Sequence, residues 1–478
     1  MLSAAALPPL HVIPVLLVAV PGLLALLGGQ PTWRQTAIVG FCFGFGHHLL
    51  GLYWITEAIL VEAARFWWLV PFAVPLTALV LALFIAAACL LARMAAPGLP
   101  RLLALAGAWV LADLARQFVG TGFPWNLWGS VWAVPGGFGD VMLQPAAWIG
   151  AHGLTLLTVL LAGSPILGWR GMAGGLAGLV LWAGAGLWRL QTAAVTAPPG
   201  LTVVLVQGNV AQGQKMSRAF AEITFQRHLD LTQAGSAAAN GPTVVVWPET
   251  ASPYLLEADA NARAAIFDAT AGYPGLIGSV RFDAEGHPRN SLMAVTGAGP
   301  PAAIYDKWHL VPFGEYQPGW LPFIQVVPGG GFAPGPGPRT LHLSGLPPVG
   351  AMICYEAIFS GLAVDEADRP DWLVNVTNDA WFGNSTGPRQ HLAAVRMRAV
   401  EEGLPIMRAA NTGISAAYDG LGRERGRLGL NQVGVLTVAL PGHLPPPWFA
   451  RLGLWCPFVM AVLMAASGLI AGQFSRKR

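Results

Sequence analysis

The chain has 478 residues, of which 54% are hydrophobic and only 11% are charged, and its formal net charge is +3. Because an ordinary soluble protein carries about a quarter charged residues, this composition excludes a chain that is water-soluble throughout. The positive charge is small and dispersed, so we expect no nucleic-acid partner.

Long apolar stretches predict helices that cross a membrane, since a crossing helix needs about 20 mostly apolar residues. Seven stretches qualify, at 9–29, 36–56, 67–92, 101–119, 143–167, 171–189 and 451–473. Asp113 and Arg116 lie one helical turn apart near the end of the fourth stretch, and we expect them to pair. The first 33 residues carry no charge, which argues against a cleavable signal peptide. We therefore expect a transmembrane bundle of about six helices over residues 1–195 and a transmembrane helix over 450–474.

Basic residues predict the orientation, because they mark the cytoplasmic loops of membrane proteins. They fall in alternate loops and in the tail, at Arg34, Arg93, Arg101, Arg170 and 475–478. The N-terminus and the long 190–450 segment are therefore expected outside the cytoplasm, and the C-terminus inside.

From about residue 198 the long apolar runs stop, and short runs rich in Val, Ile and aromatics alternate with helix-like stretches. The predicted strands are 201–206, 243–247, 275–280, 292–295, 349–353, 372–376, 406–410 and 414–418. The predicted helices are 217–234, 257–271 and 388–402. This order favours an α/β sandwich over residues 198–445, which is long enough for a core of its own.

Three further segments carry local predictions. The Gly/Pro-rich stretch 328–338, which follows apolar 320–327, fits a mobile or membrane-touching lid and a plain surface loop equally well. The acidic pairs Asp365-Glu366 and Glu401-Glu402 are expected on the solvated surface.

One cysteine stands apart from the others. Cys42, Cys89 and Cys456 lie in apolar runs, which leaves Cys354 without a plausible disulfide partner. A lone thiol in a polar domain is a candidate nucleophile, although an inert buried cysteine is the more frequent case.

Glu249, Lys307 and Cys354 each lie at the end of an apolar run, where α/β folds present reactive groups. An ordinary thiol is mostly protonated at neutral pH, so acyl transfer needs a base or a cation beside it. Glu249 could accept the proton, and Lys307 could stabilise the thiolate and later an oxyanion. Each residue alone is more often structural, and spacing by itself adds little.

The surrounding motifs are more specific. They resemble the nitrilase, or carbon–nitrogen hydrolase, superfamily and, within it, the apolipoprotein N-acyltransferase family. The strings that carry the resemblance are Gly122-Phe123-Pro124-Trp125, Val206-Gln207-Gly208-Asn209, Trp247-Pro248-Glu249, 307–315, Ile353-Cys354-Tyr355-Glu356 and 378–383. The resemblance implies an α+β, nitrilase-type four-layer α-β-β-α sandwich inserted into a polytopic helical membrane bundle, usually of eight spans.

The resemblance also implies site roles. Glu249 would be the general base, Lys307 the stabiliser of the oxyanion and thiolate, and Cys354 the nucleophile. The supporting residues implied by position are Glu315, Tyr355, Glu356 and, as a weaker match, Asn290. No clustered metal-ligand spacing or phosphate loop occurs, so neither metal nor cofactor is expected.

Two features depart from the family pattern. Lys215-Met216 stands where the family often has a tryptophan. We therefore expect the substrate contact that the indole makes in the family to be made here by the methionine thioether or by a residue elsewhere. We count seven spans rather than eight, so either the start is abbreviated or residues 1–9 begin a partial helix.

The implied activity transfers a fatty acyl chain from a phospholipid, expected to be phosphatidylethanolamine, through a Cys354 thioester. The acceptor is the N-terminal amino group of the diacylglyceryl-cysteine of apolipoproteins, in the last step of lipoprotein maturation. The enzyme is expected to be a monomer in the bacterial inner membrane with its catalytic domain on the periplasmic side. Residues near 320–327 and at Trp381–Phe382 would shelter acyl chains.

Two other classes stay open on the residues alone. A membrane-tethered amidase would use water as the acceptor and a narrow polar pocket. A transporter with an outer binding domain would need ionisable groups along a midplane pathway, where the spans offer only His47-His48 and His152.

Overall fold

The computed structural model describes residues 1–30, 32–215, 217–319, 327 and 331–476, and for 472–476 the backbone only. Met216, most of 320–327 and the start of 328–338 lie outside the described residues. The predictions of a lid, of acyl-chain shelter at 320–327 and of a changed contact at Met216 therefore stay predictions.

The described residues divide into two units. The helical unit comprises Met1–Ala193, Ser385–Glu401 and Pro446–Arg478. The sandwich unit comprises Ala194–Asn384 and Glu402–Pro445. The sequence places all of 198–445 in one domain, whereas Ser385–Glu401 groups with the helices in the structure.

The helices follow the apolar pattern. In chain order they are α1 (Leu16–Gly28), α2 (Trp33–Gly51), α3 (Ile55–Leu60), α4 (Ala63–Phe66), α5 (Val70–Arg93), α6 (Leu99–Phe118), α7 (Gly137–Leu143), α8 (Ala146–Gly163), α9 (Gly168–Thr192), α10 (Gln212–Lys215), α11 (Ala221–Ala238), α12 (Ala260–Ala269), α13 (Gly387–Glu402), α14 (Trp448–Leu452) and α15 (Trp455–Arg476). All seven apolar stretches predicted from the sequence coincide with a helix, namely α1, α2, α5, α6, α8, α9 and α15. Two short 3₁₀ helices, Leu2–Ala6 and Ile13–Val15, precede α1.

Within the described residues, two helical segments, Ala63–Arg93 and Ala146–Thr192, are long and apolar enough to cross a membrane, and Ile13–Gly28 and Trp455–Ala471 are shorter apolar helices. The longer segment is a hairpin of α8 and α9. A Cβ on Gly175 would lie 2.4 Å from Ser164 Oγ, and the rings of Trp148 and Trp188 stack at 6.4 Å, so the two helices run antiparallel. The predicted number of seven spans stays a prediction.

Small residues let the helices of this unit approach closely. A Cβ on Gly107 of α6 would lie 2.3 Å from the carbonyl oxygen of Ala461 in α15, and one on Gly40 of α2 would lie 2.8 Å from Cys89 Cβ in α5. Such contacts are typical of helices packed in membranes, where van der Waals contact replaces hydrophobic burial as the driving force.

Buried charges in the helical unit have partners. The predicted pairing of Arg116 with Asp113 is confirmed at 2.7 Å. The prediction of a solvated Glu401 is wrong, because this side chain is fully buried and accepts the Ala151 N–H at 2.6 Å. The reason is the break in α8 at Gly150 (φ 67°), which makes Ala151 the start of a new helical segment whose first N–H groups need an outside acceptor.

The sandwich unit contains the strands. They are β1 (Thr202–Gln207), β2 (Thr243–Val246), β3 (Gly275–Phe282), β4 (Pro288–Val295), β5 (Ala303–Asp306), β6 (Thr340–Leu341), β7 (Val349–Ile353), β8 (Trp372–Thr377), β9 (Ile406–Ala410), β10 (Ser415–Tyr418), β11 (Glu424–Leu428) and β12 (Gly434–Ala439). They form two six-stranded sheets, in the orders β12-β1-β2-β3-β4-β5 and β11-β10-β9-β8-β7-β6. The centre of each sheet is parallel: β1 pairs with β2 and β2 with β3, and β7 pairs with β8 and β8 with β9.

Successive side chains of each strand point to opposite faces of its sheet, so in the sheet that contains β1 one face packs against the other sheet and the other face packs against helices. On β1, Val203 and Leu205 pack with Val374 and Met407 of the other sheet, whereas Val204 and Val206 face α11 and α12. The unit thus contains α-β-β layers, and the second helical layer predicted for the sandwich stays a prediction. Glu402 is also buried rather than solvated, because it pairs with Arg369 at 3.1 Å.

Candidate active site

Three strand ends bring the predicted chemical groups together. Glu249 follows β2, Lys307 directly follows β5 in the same sheet, and Cys354 directly follows β7 in the facing sheet. Their exposed fractions are 6%, 1% and 6%, and Lys307 Nζ lies 3.0 Å from Glu249 Oε1. The site therefore lies where strand ends of the two stacked sheets meet.

Local backbone geometry places two of these side chains. A Cβ on Gly278 of β3 would lie 2.0 Å from the Pro248 carbonyl oxygen, so this glycine lets the turn that carries Glu249 fit against the sheet. Cys354 has φ 51°, a left-handed value that costs a non-glycine residue about 1–3 kcal/mol. It directly follows β7 and begins the 3₁₀ turn Cys354–Ile358.

Lys307 lies between two carboxylates. Its Nζ is 3.0 Å from Glu249 Oε1 and 2.8 Å from Glu315 Oε2. The Asn290 amide Nδ2 donates to both acids as well, at 2.8 Å to Glu249 and 2.9 Å to Glu315. The Val311 N–H donates to Glu315 at 2.8 Å. Glu315 and Asn290, both predicted as supporting residues, thus orient Lys307 and Glu249.

The charges of this cluster set its proton distribution. Burial opposes ionisation of Lys307, but Glu249 and Glu315 outweigh it and hold the lysine pKa well above its ordinary value. Burial likewise opposes ionisation of Glu249, and the cations Lys307 and Lys215 hold its pKa below the ordinary range. Burial, with help from the Glu249 charge, raises the pKa of the Cys354 thiol, while Lys307 and a hydrogen bond with Thr377 act in the opposite direction. The resting site is therefore a neutral thiol beside an ionised carboxylate that can accept its proton.

Glu356 links Cys354 to the segment that carries Lys307. One carboxylate oxygen accepts the N–H of Ile353 at 2.6 Å, and the other accepts the N–H of Trp308 at 2.7 Å. The Tyr305 hydroxyl donates at 2.9 Å to the same oxygen that accepts the Ile353 N–H. Burial raises the pKa of Glu356 to about 7. Glu356 thus ties the residue before Cys354 to the residue after Lys307.

Tyr355 is a buried packing residue beside the cysteine. Its ring lies 5.7 Å from that of His309 and 5.2 Å from that of Phe359. Trp381 and Phe382, predicted to shelter acyl chains, end the 3₁₀ turn Asp379–Phe382 and are partly buried. Their contact with lipid stays a prediction.

Lys215 is a second cation of the site that sequence reasoning did not assign. Its Nζ donates to the Glu249 carbonyl oxygen at 2.5 Å, and burial lowers its pKa to about 8 against the raising effect of Glu249 and Cys354. In the sequence, Lys215 directly precedes Met216 in a segment that resembles the family pattern. No feature of that segment predicts that the Lys215 side chain contacts Glu249.

One surface turn in the described part of the sandwich unit, with two exposed residues and one partly buried residue, has the donor set of a metal site. Asp283, Glu285 and His287 place their ligand atoms within 4.8 Å of one another. Asp283 is already paired with Arg289 at 2.9 Å, so these residues are explained as an ordinary charged turn between β3 and β4.

Two family models match successive regions of the chain. Residues 1–164 match the family model described as apolipoprotein N-acyltransferase N-terminal domain, and residues 191–444 match carbon-nitrogen hydrolase, which gives the sandwich unit a nitrilase-type fold. An apolipoprotein N-acyltransferase of Bradyrhizobium diazoefficiens is 38% identical over 98% of this chain and 92% of its own length. One of Brucella suis is 39% identical over 97% and 91%.

Among solved structures, an amidase from Nesterenkonia sp. AN1 has a TM-score of 0.39 and 18% identity over 52% of this chain and 95% of its own. The near-full-length relatives and the two family models agree, and the chain belongs to the apolipoprotein N-acyltransferase family, whose members are membrane acyltransferases.

Proposed function

We propose that this chain transfers a fatty acyl chain from a phospholipid to the N-terminal amino group of the diacylglyceryl-cysteine of apolipoproteins, with Cys354 as the nucleophile. The observation that carries the proposal is the convergence of Glu249, Lys307 and Cys354 from three strand ends in a buried site. A protonated thiol beside an ionised acid and a fixed cation is the arrangement that acyl transfer needs.

The first half-reaction forms a thioester. Glu249 accepts the thiol proton as the Cys354 sulfur attacks the carbonyl carbon of the phospholipid ester. Lys307 donates to the oxyanion of the tetrahedral intermediate, and its pairing with two carboxylates keeps the ammonium charged throughout. The carbon–oxygen bond to glycerol then breaks, the glycerol oxygen takes the proton from Glu249, and a lysophospholipid leaves.

The second half-reaction consumes the thioester. The neutral α-amino group of the acceptor attacks the thioester carbonyl, and Glu249 accepts one amine proton. The carbon–sulfur bond breaks, the proton returns to the sulfur, and an amide is formed. Burial of the site excludes water, which would otherwise compete with the amine and hydrolyse the thioester.

The finer features of this proposal rest on chemistry and on the loop charges. Both substrates are lipid-anchored, so the site has to open toward a membrane leaflet. The basic loops at Arg34, Arg93 and Arg170 favour an orientation with the sandwich unit on the periplasmic side of the inner membrane. Phosphatidylethanolamine is the proposed donor, and a monomer of seven spans is the proposed form.

Intact-mass analysis tests the proposal directly. The purified protein and its Cys354→Ala and Cys42→Ala variants are incubated with phosphatidylethanolamine, and the mass of each is measured. We expect a fatty-acyl increment on the parent and on Cys42→Ala, whose cysteine is exposed on α2, but none on Cys354→Ala.

An N-terminal diacylglyceryl-cysteine peptide should then remove the increment and gain the same mass. Loss of the increment with release of free fatty acid, and no mass gain on the peptide, would indicate an amidase-type hydrolase instead. Acylation of the peptide by Cys354→Ala would refute the thioester route.

A further inference from the structure

The register of the second sheet places a threonine beside the nucleophile. β7 and β8 are parallel, and Ile353 pairs with Val376. Cys354 and Thr377 each follow directly after these residues, so they are lateral neighbours at the same edge of the sheet. The Thr377 side chain is completely buried.

A buried network fixes the Thr377 hydroxyl. Its Oγ1 donates to Asp379 Oδ1 at 3.0 Å, and Asp379 Oδ2 accepts from Arg408 Nη2 at 2.5 Å. Arg408 in turn donates to Asn375 Oδ1 at 2.5 Å. Asp379 and Arg408 have no exposed surface, so this ion pair is retained inside the fold despite the desolvation that it requires.

The network extends to the sulfur. Cys354 Sγ lies within 4.8 Å of a carboxylate oxygen of Asp379, and Thr377 is a hydrogen-bond partner of the cysteine. A hydroxyl has one proton and two lone pairs. While its proton is donated to Asp379, its oxygen can accept the Cys354 S–H, and after the thiol proton leaves, the hydroxyl can turn and donate to the sulfur.

We propose that Thr377, held by Asp379 and Arg408, is a positioning residue for the Cys354 sulfur in both half-reactions. It orients the resting thiol and then stabilises the thiolate that attacks the ester and is later released from the thioester. Asp379 tolerates the loss of this hydrogen bond in the thiolate state because Arg408 still neutralises its charge. The inference rests on Cys354 being the nucleophile of the proposed function.

A matched set of variants tests it. Thr377→Val keeps the shape and removes the hydroxyl, and Thr377→Ser keeps the hydroxyl. Thr270→Val, in a residue also fully buried whose hydroxyl donates to the Phe267 carbonyl, controls for loss of a buried threonine hydroxyl elsewhere in the unit. Thr377→Ala replaces the valine variant if the latter does not fold.

Two rates are measured for each folded variant at neutral pH: alkylation of Cys354 by iodoacetamide, followed by the mass of its peptide, and acyl transfer. Because a hydrogen bond to a charged group is lost, we expect Thr377→Val to slow alkylation about tenfold. kcat should fall by the same factor with KM for either substrate unchanged. Thr377→Ser and Thr270→Val should stay within about twofold of the parent.

Equal alkylation rates in Thr377→Val and the parent would overturn the inference, and so would a serine variant as slow as the valine variant. Alkylation needs no lipid substrate, so the two proposals can fail separately. A parent that reacts with iodoacetamide at Cys354 but forms no acyl adduct would contradict the proposed function and leave the Thr377 result valid for the thiol.

Discussion

One buried ion pair of the helical unit and one buried charge cluster of the sandwich unit are assembled differently. In the helical unit, Asp113 and Arg116 pair within one helix at 2.7 Å, and the second Arg116 nitrogen donates to the Trp125 carbonyl at 2.7 Å. In the sandwich unit, Lys307 is shared between Glu249 and Glu315, which come from separate parts of the chain. A local pair balances one charge with another and stabilises the helix, whereas the assembled cluster leaves an ionised acid beside a thiol.

The two buried cysteines show the same contrast. Cys89 packs against the Gly40 position of a neighbouring helix, where its sulfur fills space. Cys354 directly follows β7 and has φ 51°, and the groups around its sulfur are two carboxylates, a cation and a hydroxyl. Burial is common to both cysteines, so burial alone does not distinguish the candidate nucleophile; the charged groups around the Cys354 sulfur do.

The strongest test of this contrast removes the shared cation. Lys307→Met leaves Glu249 and Glu315 buried without it, and breaking a buried pair in this way costs about 3–5 kcal/mol of unfolding free energy. We expect acyl transfer to fall more than about a thousandfold, because the oxyanion loses its donor. Thermal unfolding and kcat/KM are the measurements.

Arg116→Met is the matched change in the helical unit. It should destabilise the protein comparably and leave the acyl-transfer rate of the folded fraction within a few fold. A large loss of activity per folded molecule in Arg116→Met would show that the Arg116 charge contributes to the reaction and not only to stability.

Glu249→Gln tests both the proposed role of Glu249 as general base and the contribution of its ion pair with Lys307 to stability. We expect kcat to fall by about 10²–10⁴, the usual contribution of a general base. The folded pKa of Glu249 is depressed, so the stability that it contributes is present above the unfolded value of about 4.3 and is lost as pH falls through the folded value.

The difference in unfolding temperature between parent and Glu249→Gln should therefore shrink as pH is lowered below about 4. A difference that grows on acidification would show that the ion pair does not stabilise the fold.

Glu356→Gln addresses the link between Cys354 and the Lys307 segment. Both carboxylate oxygens accept hydrogen bonds, and an amide nitrogen cannot accept one. We expect kcat to fall about 10–100-fold through misplacement of the two groups. Glu366→Gln, at a side chain that is 61% exposed, is the control and should retain full activity. Equal kcat and KM in Glu356→Gln and Glu366→Gln would show that Glu356 has no role in positioning the reactive groups.

Cys89→Ala gives the smallest expected effect. The change removes one buried sulfur, so we expect a modest drop in unfolding temperature and an acyl-transfer rate within about twofold of the parent. Formation of the thioester, measured by intact mass, should be unchanged. A strong loss of adduct would mean that Cys89 does more than pack.

Local pattern predicted much of the architecture. The eight predicted strands and three predicted helices of the sandwich segment coincide with observed elements within a few residues. The strands that pattern reasoning missed, β5, β6, β11 and β12, are short or lie at and near sheet edges. Edge strands bury only part of their side chains, so β11 carries Glu424, Arg425 and Arg427 and lacks the apolar alternation that identifies a strand.

The sequence by itself determined the two compositional regions, the positions of the long helices, and Glu249, Lys307 and Cys354 as candidates at strand ends. These follow from burial periodicity and family motifs, which are local properties of the chain. Only the tertiary structure decided that Lys215 donates to the Glu249 carbonyl, that Asn290 bridges both acids, that Glu401 and Glu402 are buried, and that Thr377 lies beside Cys354. Each of these depends on the register of strands or helices far apart in sequence, and register is set by packing of the whole unit rather than by any segment alone.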